Sequence, residues 1–457
     1  MSQSFKAYNR DQSYLLPPSM KDWLPPGDLS YFLIDLVDDL DLSAIYRHYE
    51  VAKGPEGLRS KARSGQPPFH PKMMVGLLVY AYCLGTPSSR RIARLCERDI
   101  GYRVVSADQQ PNFRTISEFR RLHLKALKDL FVQVLHVARE AGLVKLGQVA
   151  LDGTKVKANA SKHKAMSYQR MVEKEAQYAQ EVEELLKQAQ EADEAEDREH
   201  GKDARGDELP QELRFREKRL ARIREAKRAL EEAAKEKARA EGKLDANDQP
   251  PPPRRGKGPK TPSGTPAPKA QRNFTDPQSP IMKMGNGSFD QAYNCQVAVE
   301  SSNQIILAAE VTSEPNDKRQ VQPMVEQVRE NAGAYPGAAL ADNGFYSQEN
   351  VEYLRGKGVD DYLCPDKLKH GEMLPAVRGR IPQSLSFIDR VRRKLRTVKG
   401  RAIYGRRKEV VEPVFGRMKG ARGLRQFLLR GLEKVQGEWS LWCMTHNLLK
   451  IWAAQPG

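Results

Sequence analysis

Five short apolar segments in this chain read as β-strands, and the first stands far from the other four. GQVALD lies at 147–152, whereas FDQAYNCQVAVE, QIILAAEVTSE, GAALAD (337–342) and VDDYLCP (359–365) all come after residue 288. Helical patterns at Lys318–Asn331 and Ser347–Lys357 separate the third, fourth and fifth strands. Two strands close together, then strand, helix, strand, helix, strand, predict a mixed α/β sheet with flanking helices. Its first strand must reach its neighbours across whatever fills the gap.

The gap is helical and charged. From Met166 to about Lys243 nearly every residue is a helix former, and Met171, Tyr178, Val182, Leu185 and Ala189 are spaced seven, four, three and four apart. Leu213, Leu220, Ile223 and Leu230 form a second seam, with the acidic EADEAEDREHGKDARGDELP between the two. This predicts an antiparallel helical hairpin with a polar turn. Eight prolines between Pro250 and Pro268, interleaved with Arg and Lys, then predict a basic extended linker without secondary structure. The chain divides into a helical region at 1–145, the start of the sheet at 146–165, a hairpin insertion at 166–247, a linker at 248–272 and the rest of the core at 273–457.

The first 145 residues read as helices. Ser30–Leu42 is one; a second begins at Pro71, a residue suited to the first helical position, and runs to Gly85; a third, RRIARLCER, is capped by Ser88 or Ser89. Thr115–Glu118 (TISE) has the form of a capping box, followed by Leu122, Ala126, Leu130 and Val134. The helices around Thr86–Ser89 fit a DNA-reading helix-turn-helix and a plain bundle equally well. The longest apolar stretch, Met73–Gly85, is about thirteen residues against the ~20 of a membrane span. Nothing at the N-terminus has the apolar core of a signal peptide. Five widely spaced cysteines without a C-x-x-C pair predict buried thiols in a reducing cytoplasm.

Composition narrows the partner. The 457 residues are 39% hydrophobic, enough for a real core, and carry 76 Lys+Arg against 59 Asp+Glu, a net +17. That excess points to a polyanion, most commonly nucleic acid. It is concentrated: Asp366–Lys434 holds 20 basic and 6 acidic residues, or +14.

Within this setting three carboxylates are candidates for chemistry. Asp152 (VALDGTKVKANAS) and Asp342 (ALADNGFYS) close predicted strands, where α/β sheets gather functional groups; Asp before Gly is also ordinary turn chemistry. Glu412 lies in YGRRKEVVEPVFGRMKGARG, with Lys408 and Lys419 on its helical face, a spacing that a salt-bridged surface helix would share. Three carboxylates in a cationic field suggest two Mg²⁺ or Mn²⁺ ions acting on phosphate, with Lys and Arg holding the backbone.

In this order, VALDGTKVKANAS, AYNCQVAVE, IILAAEVTSEPND, ALADNGFYSQEN, a Y-x-x-R and VEPVFGRMKG resemble the DDE-type transposases of bacterial insertion sequences. So do FHPKMMVGLLVYAYCLGTPSSRRIARLCERDIGYR and PNFRTISEFRR near the N-terminus. The resemblance implies an RNase H-like core with a five-stranded mixed sheet, in which Asp152, Asp342 and Glu412 bind two Mg²⁺ or Mn²⁺ ions. It implies nicking at the ends of an insertion element, followed by attack of the freed 3′-hydroxyl on target DNA, without a covalent protein–DNA intermediate. Tyr404, Arg407 and Lys419 resemble residues that contact phosphates in a related branch, and Lys155, Lys157, Arg390, Arg392, Arg393 and Lys394 join them as DNA contacts.

Four residues separate Arg407 from Glu412 where that branch has three, which keeps Glu409 as an alternative third carboxylate. Pro413 predicts that the helix starts or kinks there. The partners implied are double-stranded DNA, as inverted-repeat ends and target, and a second protomer in the DNA complex, all at the nucleoid and none at a membrane. The hairpin would serve end recognition or protomer pairing, or act as a spacer. The competing readings are a metal-dependent nuclease without strand transfer and a catalytically silent DNA-binding regulator.

Overall fold

A computed structural model describes residues 19–49, 68–200, 211–245, 247–249, 264–367 and 375–455. The polar turn of the hairpin at 201–210 and the Pro-rich stretch at 250–263 lie outside the described residues. The chain opens with helices α1 (Leu29–Asp39), α2 (Ser43–Tyr46), α3 (Pro71–Cys83), α4 (Ser89–Arg98), α5 (Ile100–Val105), α6 (Phe113–Leu122) and α7 (Leu124–Glu140). Strands β1 (Gln148–Lys157) and β2 (Ala165–Ser167) lead into the long helices α8 (Tyr168–His200) and α9 (Gln211–Ala240). Then come β3 (Gln271–Asn273), β4 (Ile281–Lys283), β5 (Phe289–Glu300), β6 (Ile306–Thr312), α10 (Val321–Ala332), β7 (Ala338–Ala341), α11 (Gln348–Gly356) and β8 (Asp360–Leu363). Helices α12 (Phe387–Arg396), α13 (Val398–Gly416) and α14 (Leu432–Ala453) follow.

The sheet is mixed, as its segments predict. Its order is β6–β5–β1–β7–β8, with β4 beside the first residues of β5. The first strand in the chain is therefore the central one. It pairs antiparallel with β5 and parallel with β7, and β7 pairs parallel with β8.

The first strand is longer than the sequence predicts. The apolar run stops at Asp152, but β1 continues to Lys157, because β5 is 12 residues long and offers partners as far as Ala292. β7 accompanies β1 only over Gln148–Ala150. Between Asp152 and Val156 β1 has a neighbouring strand on one side only, until Gln426 bridges in parallel to Lys157, and this opens a crevice in mid-strand rather than at a strand end.

In the N-terminal region all of α3 except Lys72 and Met73 is buried, so it serves as core. α4 buries Ile92 and Cys96 and exposes Arg90, Arg91, Arg94 and Arg98. α6 starts at Phe113, ahead of the expected capping box, because the Asn112 side-chain oxygen accepts from the backbone N–H of Arg114 and Thr115, both at 2.9 Å. The four-residue apolar repeat beyond it is broken at His123, where α6 gives way to α7.

One continuous apolar core runs from α1 and α3 through α7 and the sheet to α14. Where α14 covers the edge strand β6, its amides supply what a further strand would. Gln436 accepts from Val311 N–H (2.6 Å) and donates to the Ala309 carbonyl (2.9 Å), and Asn447 does the same for both backbone groups of Ile306 (2.8 Å each). The hairpin α8–α9 has its own small core of Met171, Ile223 and Ala226, flanked by Tyr178 and Leu230. Glu175 bridges its two helices to Arg224 (3.1 Å) and Lys227 (2.8 Å). All five cysteines are free and buried, and among the described residues no helix is long and apolar enough to cross a membrane.

Candidate active site

The parallel register of β1 and β7 decides what faces the crevice. Ala150 pairs with Leu340, so two residues further on Asp152 stands beside Asp342, the first residue after β7. Short backbone bonds orient both carboxylates: Gly153 N–H donates to Asp152 Oδ1 (2.8 Å) and Gly344 N–H to Asp342 Oδ1 (2.9 Å). Burial pushes the Asp152 carboxyl up to about 6; Asp342 and Asp317 add to the rise, while Arg407 and the Gly153 N–H oppose it. Arg407 Nη1 reaches Asp152 Oδ2 at 3.2 Å. A desolvated carboxylate among like charges is a place where a cation is strongly favoured.

Arg407 comes from α13, whose first turn is capped by Thr397 Oγ1 accepting from Gly400 N–H (3.0 Å). The helix neither starts nor ends at Pro413; it runs through the proline to Gly416. A proline there removes the N–H that would bond the Glu409 carbonyl, and Gln304 Nε2 donates to that carbonyl instead at 3.0 Å. One π-helical turn, Arg417–Ala421, then swings Lys419 onto β1. Lys419 Nζ donates to Thr154 Oγ1 (2.5 Å) and to the Lys155 carbonyl (2.9 Å), and burial lowers its pKa. Burial raises the Tyr404 hydroxyl, which feels Cys364, Arg407 and Asp342 as neighbours. The chain beyond is fastened to the end of β1 by Phe427 N–H on the Lys157 carbonyl and by Gln426 Nε2 on the Ala158 carbonyl, both 2.9 Å.

Asp152, Asp342, Tyr404, Arg407 and Lys419 are thus brought to one side of β1. Glu412 and Glu409 stand exposed on α13, and neither carboxylate has a hydrogen bond or ion pair among the described residues. Among those residues no three His, Cys, Asp or Glu side chains form a group that could hold a metal ion. Lys157 pairs with Asp290 at 2.9 Å.

The basic helix α12 is bound largely to its own protein. Arg392 grips Asp366 (2.8 Å) and Asp389 (3.0 Å), and Lys394 holds Asp360 (2.6 Å) and the buried Asp361 (3.0 Å). Arg393 donates to the carbonyls of Arg380 (3.1 Å) and Arg378 (3.0 Å). Arg390 and Arg396 each bury an Nε that has no partner among the described residues.

Sequence reasoning passed over three residues beside the aspartates. Asp317 Oδ1 accepts from Asn294 Nδ2 (2.7 Å) and from Gln296 Nε2 (2.6 Å). Asp317 directly precedes a helical segment, where an aspartate reads as a cap, and Asn294 and Gln296 sit inside a strand pattern.

Two family models match this chain, a Transposase DDE domain over 258–448 and a Transposase domain (DUF772) over 18–122. They identify a DDE-type transposase of an insertion-element family. In the transposase, Asp342, Tyr404, Arg407, Glu412 and Lys419 lie inside the DDE match, and α3 and α4 inside the other. Asp152 and the hairpin fall between the two. No curated protein and no solved structure matches the chain at a significant level.

Proposed function

We propose that this transposase cuts DNA at the ends of its element by cation-dependent phosphoryl transfer and joins the freed 3′-hydroxyls to target DNA. The observation that carries the reading is the placement of Asp152 of β1 beside Asp342, just past the parallel neighbour β7, with Arg407 paired to Asp152. An RNase H-like core is supported by the strand order: numbered along the chain, the five long strands lie 3-2-1-4-5, with the second antiparallel.

The residues fit a hard divalent cation. The donors are carboxylate oxygens, Asp152 is desolvated among other carboxylates, and the buried Gln296 Oε1 nearby has no hydrogen-bond partner. Asp152 and Asp342 would hold Mg²⁺ or Mn²⁺, with Glu412 as the third ligand and Glu409 as the alternative. Two such ions, when bound, activate an attacking oxygen and stabilise the leaving one.

The protein's own groups set the stage. With its carboxyl near 6, Asp152 is mostly ionised at pH 7–8, and Arg407 helps to keep it so. Lys419 fixes the stretch of β1 just past Asp152, and Arg407 and Tyr404 border the place a phosphodiester would occupy, with Lys155 as a further DNA contact of the proposal. The helices of residues 1–145, with the exposed arginines of α4, serve DNA binding and assembly, and the α8–α9 hairpin serves end recognition or pairing in a dimer on DNA.

The test is a duplex end already cut to expose its 3′-hydroxyl, incubated with target DNA in Mg²⁺ or Mn²⁺. Joined product is the expected result. Cleavage without joining would make the protein a plain nuclease, and binding with neither reaction a silent regulator.

A further inference from the structure

Asp317 stands where a helix cap is expected and does not cap. It precedes the short 3-10 turn Lys318–Gln320, yet its carboxylate accepts no backbone N–H there. It turns back onto the sheet, where the amides of Asn294 and Gln296 both hold Oδ1. Asn294 also donates to the Glu314 carbonyl at 3.1 Å, which pins the loop that carries Asp317.

Two glycines leave room for this arrangement. A Cβ at Gly153 would sit 2.5 Å from Gln296 Nε2 and 2.9 Å from Asp317 Oδ1, closer than real Cβ atoms come. A Cβ at Gly344 would sit 3.0 Å from Asp342 Oδ1 and 3.2 Å from Asp317 Oδ2. The carboxylates of Asp317 and Asp342 therefore flank one small space.

That space is short of positive charge. Among the described residues nothing donates to Asp317 Oδ2 or to Asp342 Oδ2. Gln296, fully buried, keeps its Oε1 without a partner. A buried acceptor left unpaired is costly, and this one belongs to the same amide whose Nε2 holds Asp317 Oδ1. Mg²⁺ is commonly held by only one or two carboxylates and keeps several waters, so a pair of aspartates is enough for one ion.

We propose that Asp317 and Asp342 together bind one divalent cation, with Asn294 and Gln296 fixing Asp317 for that task. The inference rests on the cation-dependent reading above and adds a ligand outside the Asp152, Asp342 and Glu412 set.

Mn²⁺ titrated into the full-length protein, with and without duplex DNA, and counted by electron paramagnetic resonance, tests it. The variants are Asp317→Asn, Gly344→Ala and Asp152→Asn, each checked by thermal unfolding without metal. Asp317→Asn is expected to weaken one bound Mn²⁺ by about tenfold or more, and Gly344→Ala, which removes no carboxylate but crowds the space between Asp342 and Asp317, to weaken the same ion. Wild-type Mn²⁺ binding by a folded Asp317→Asn protein overturns the inference. Should that variant not fold, wild-type binding by Gly344→Ala overturns it equally. Either result, with Asp152→Asn still losing an ion, leaves the reading of the centre standing. A wild-type protein that binds no Mn²⁺ under any condition overturns both.

Discussion

Helices α12 and α13 are neighbours in sequence, both rich in Arg and Lys, and they put that charge to opposite uses. Lys394 of α12 is committed to Asp360 and Asp361 of β8, at the far edge of the sheet, and Arg392 to Asp366 in the loop after β8 and to Asp389 of its own helix. Arg407 of α13 and Lys419 just beyond it reach the central strand instead, at Asp152 and Thr154. The +14 of residues 366–434 is therefore not one continuous bed for DNA. A local charge count says how many cations a segment has, and only the fold says which of them are already neutralised.

This difference can be broken by substitution. The largest effect is expected from Arg407→Ala, which removes a charge-assisted contact from an enclosed site and should lower end cleavage by roughly 100-fold or more. The same variant should change the pH profile. Burial already holds Asp152 near 6 and Arg407 pulls it down, so without the guanidinium the carboxyl protonates at still higher pH. On the proposed reading the ionised carboxylate is the working form, so the acid limb of kcat/KM is expected to move to higher pH at fixed cation concentration. An unmoved limb would separate Arg407 from the function of Asp152.

Lys419→Met is expected to act less strongly. It removes two hydrogen bonds from a mostly buried ammonium, costing about 1–3 kcal/mol of stability, with a smaller loss of cleavage than Arg407→Ala. Equal losses in the two variants would mean that Lys419 touches DNA directly. The smallest effect on DNA belongs to α12. Arg392→Gln combined with Lys394→Gln should lower the unfolding midpoint and leave the salt dependence of end binding unchanged. A slope that falls by about 0.9 for each residue replaced would place α12 on the phosphates after all.

Much of this site is legible in the sequence, for reasons that can be named. The strand and helix patterns after residue 288 are local, and they locate β5 to β8 with the helices between them. The two aspartates follow apolar runs, and that marks them in the sequence. The end of β1 was not legible, because Gly153–Lys157 is apolar at only one position and becomes a strand through its pairing with the long β5. Pro413 reads as a helix breaker because the group that compensates it, Gln304, lies far away in sequence at the β5–β6 turn. The neutralisation of α12 was hidden for a similar reason, since Asp360, Asp361 and Asp366 come from β8 and the loop after it. Asp317 was missed because its sequence setting is that of a cap, and only two amides from β5 reveal its other use.

On this reading Asp152 carries the chemistry while DNA is held elsewhere. The most direct test is Asp152→Asn, assayed in Mg²⁺ for cleavage of an element end and, separately, for binding of that end. Cleavage at background with binding nearly intact is the predicted result; cleavage that persists, or binding lost to the same degree as cleavage, would contradict it.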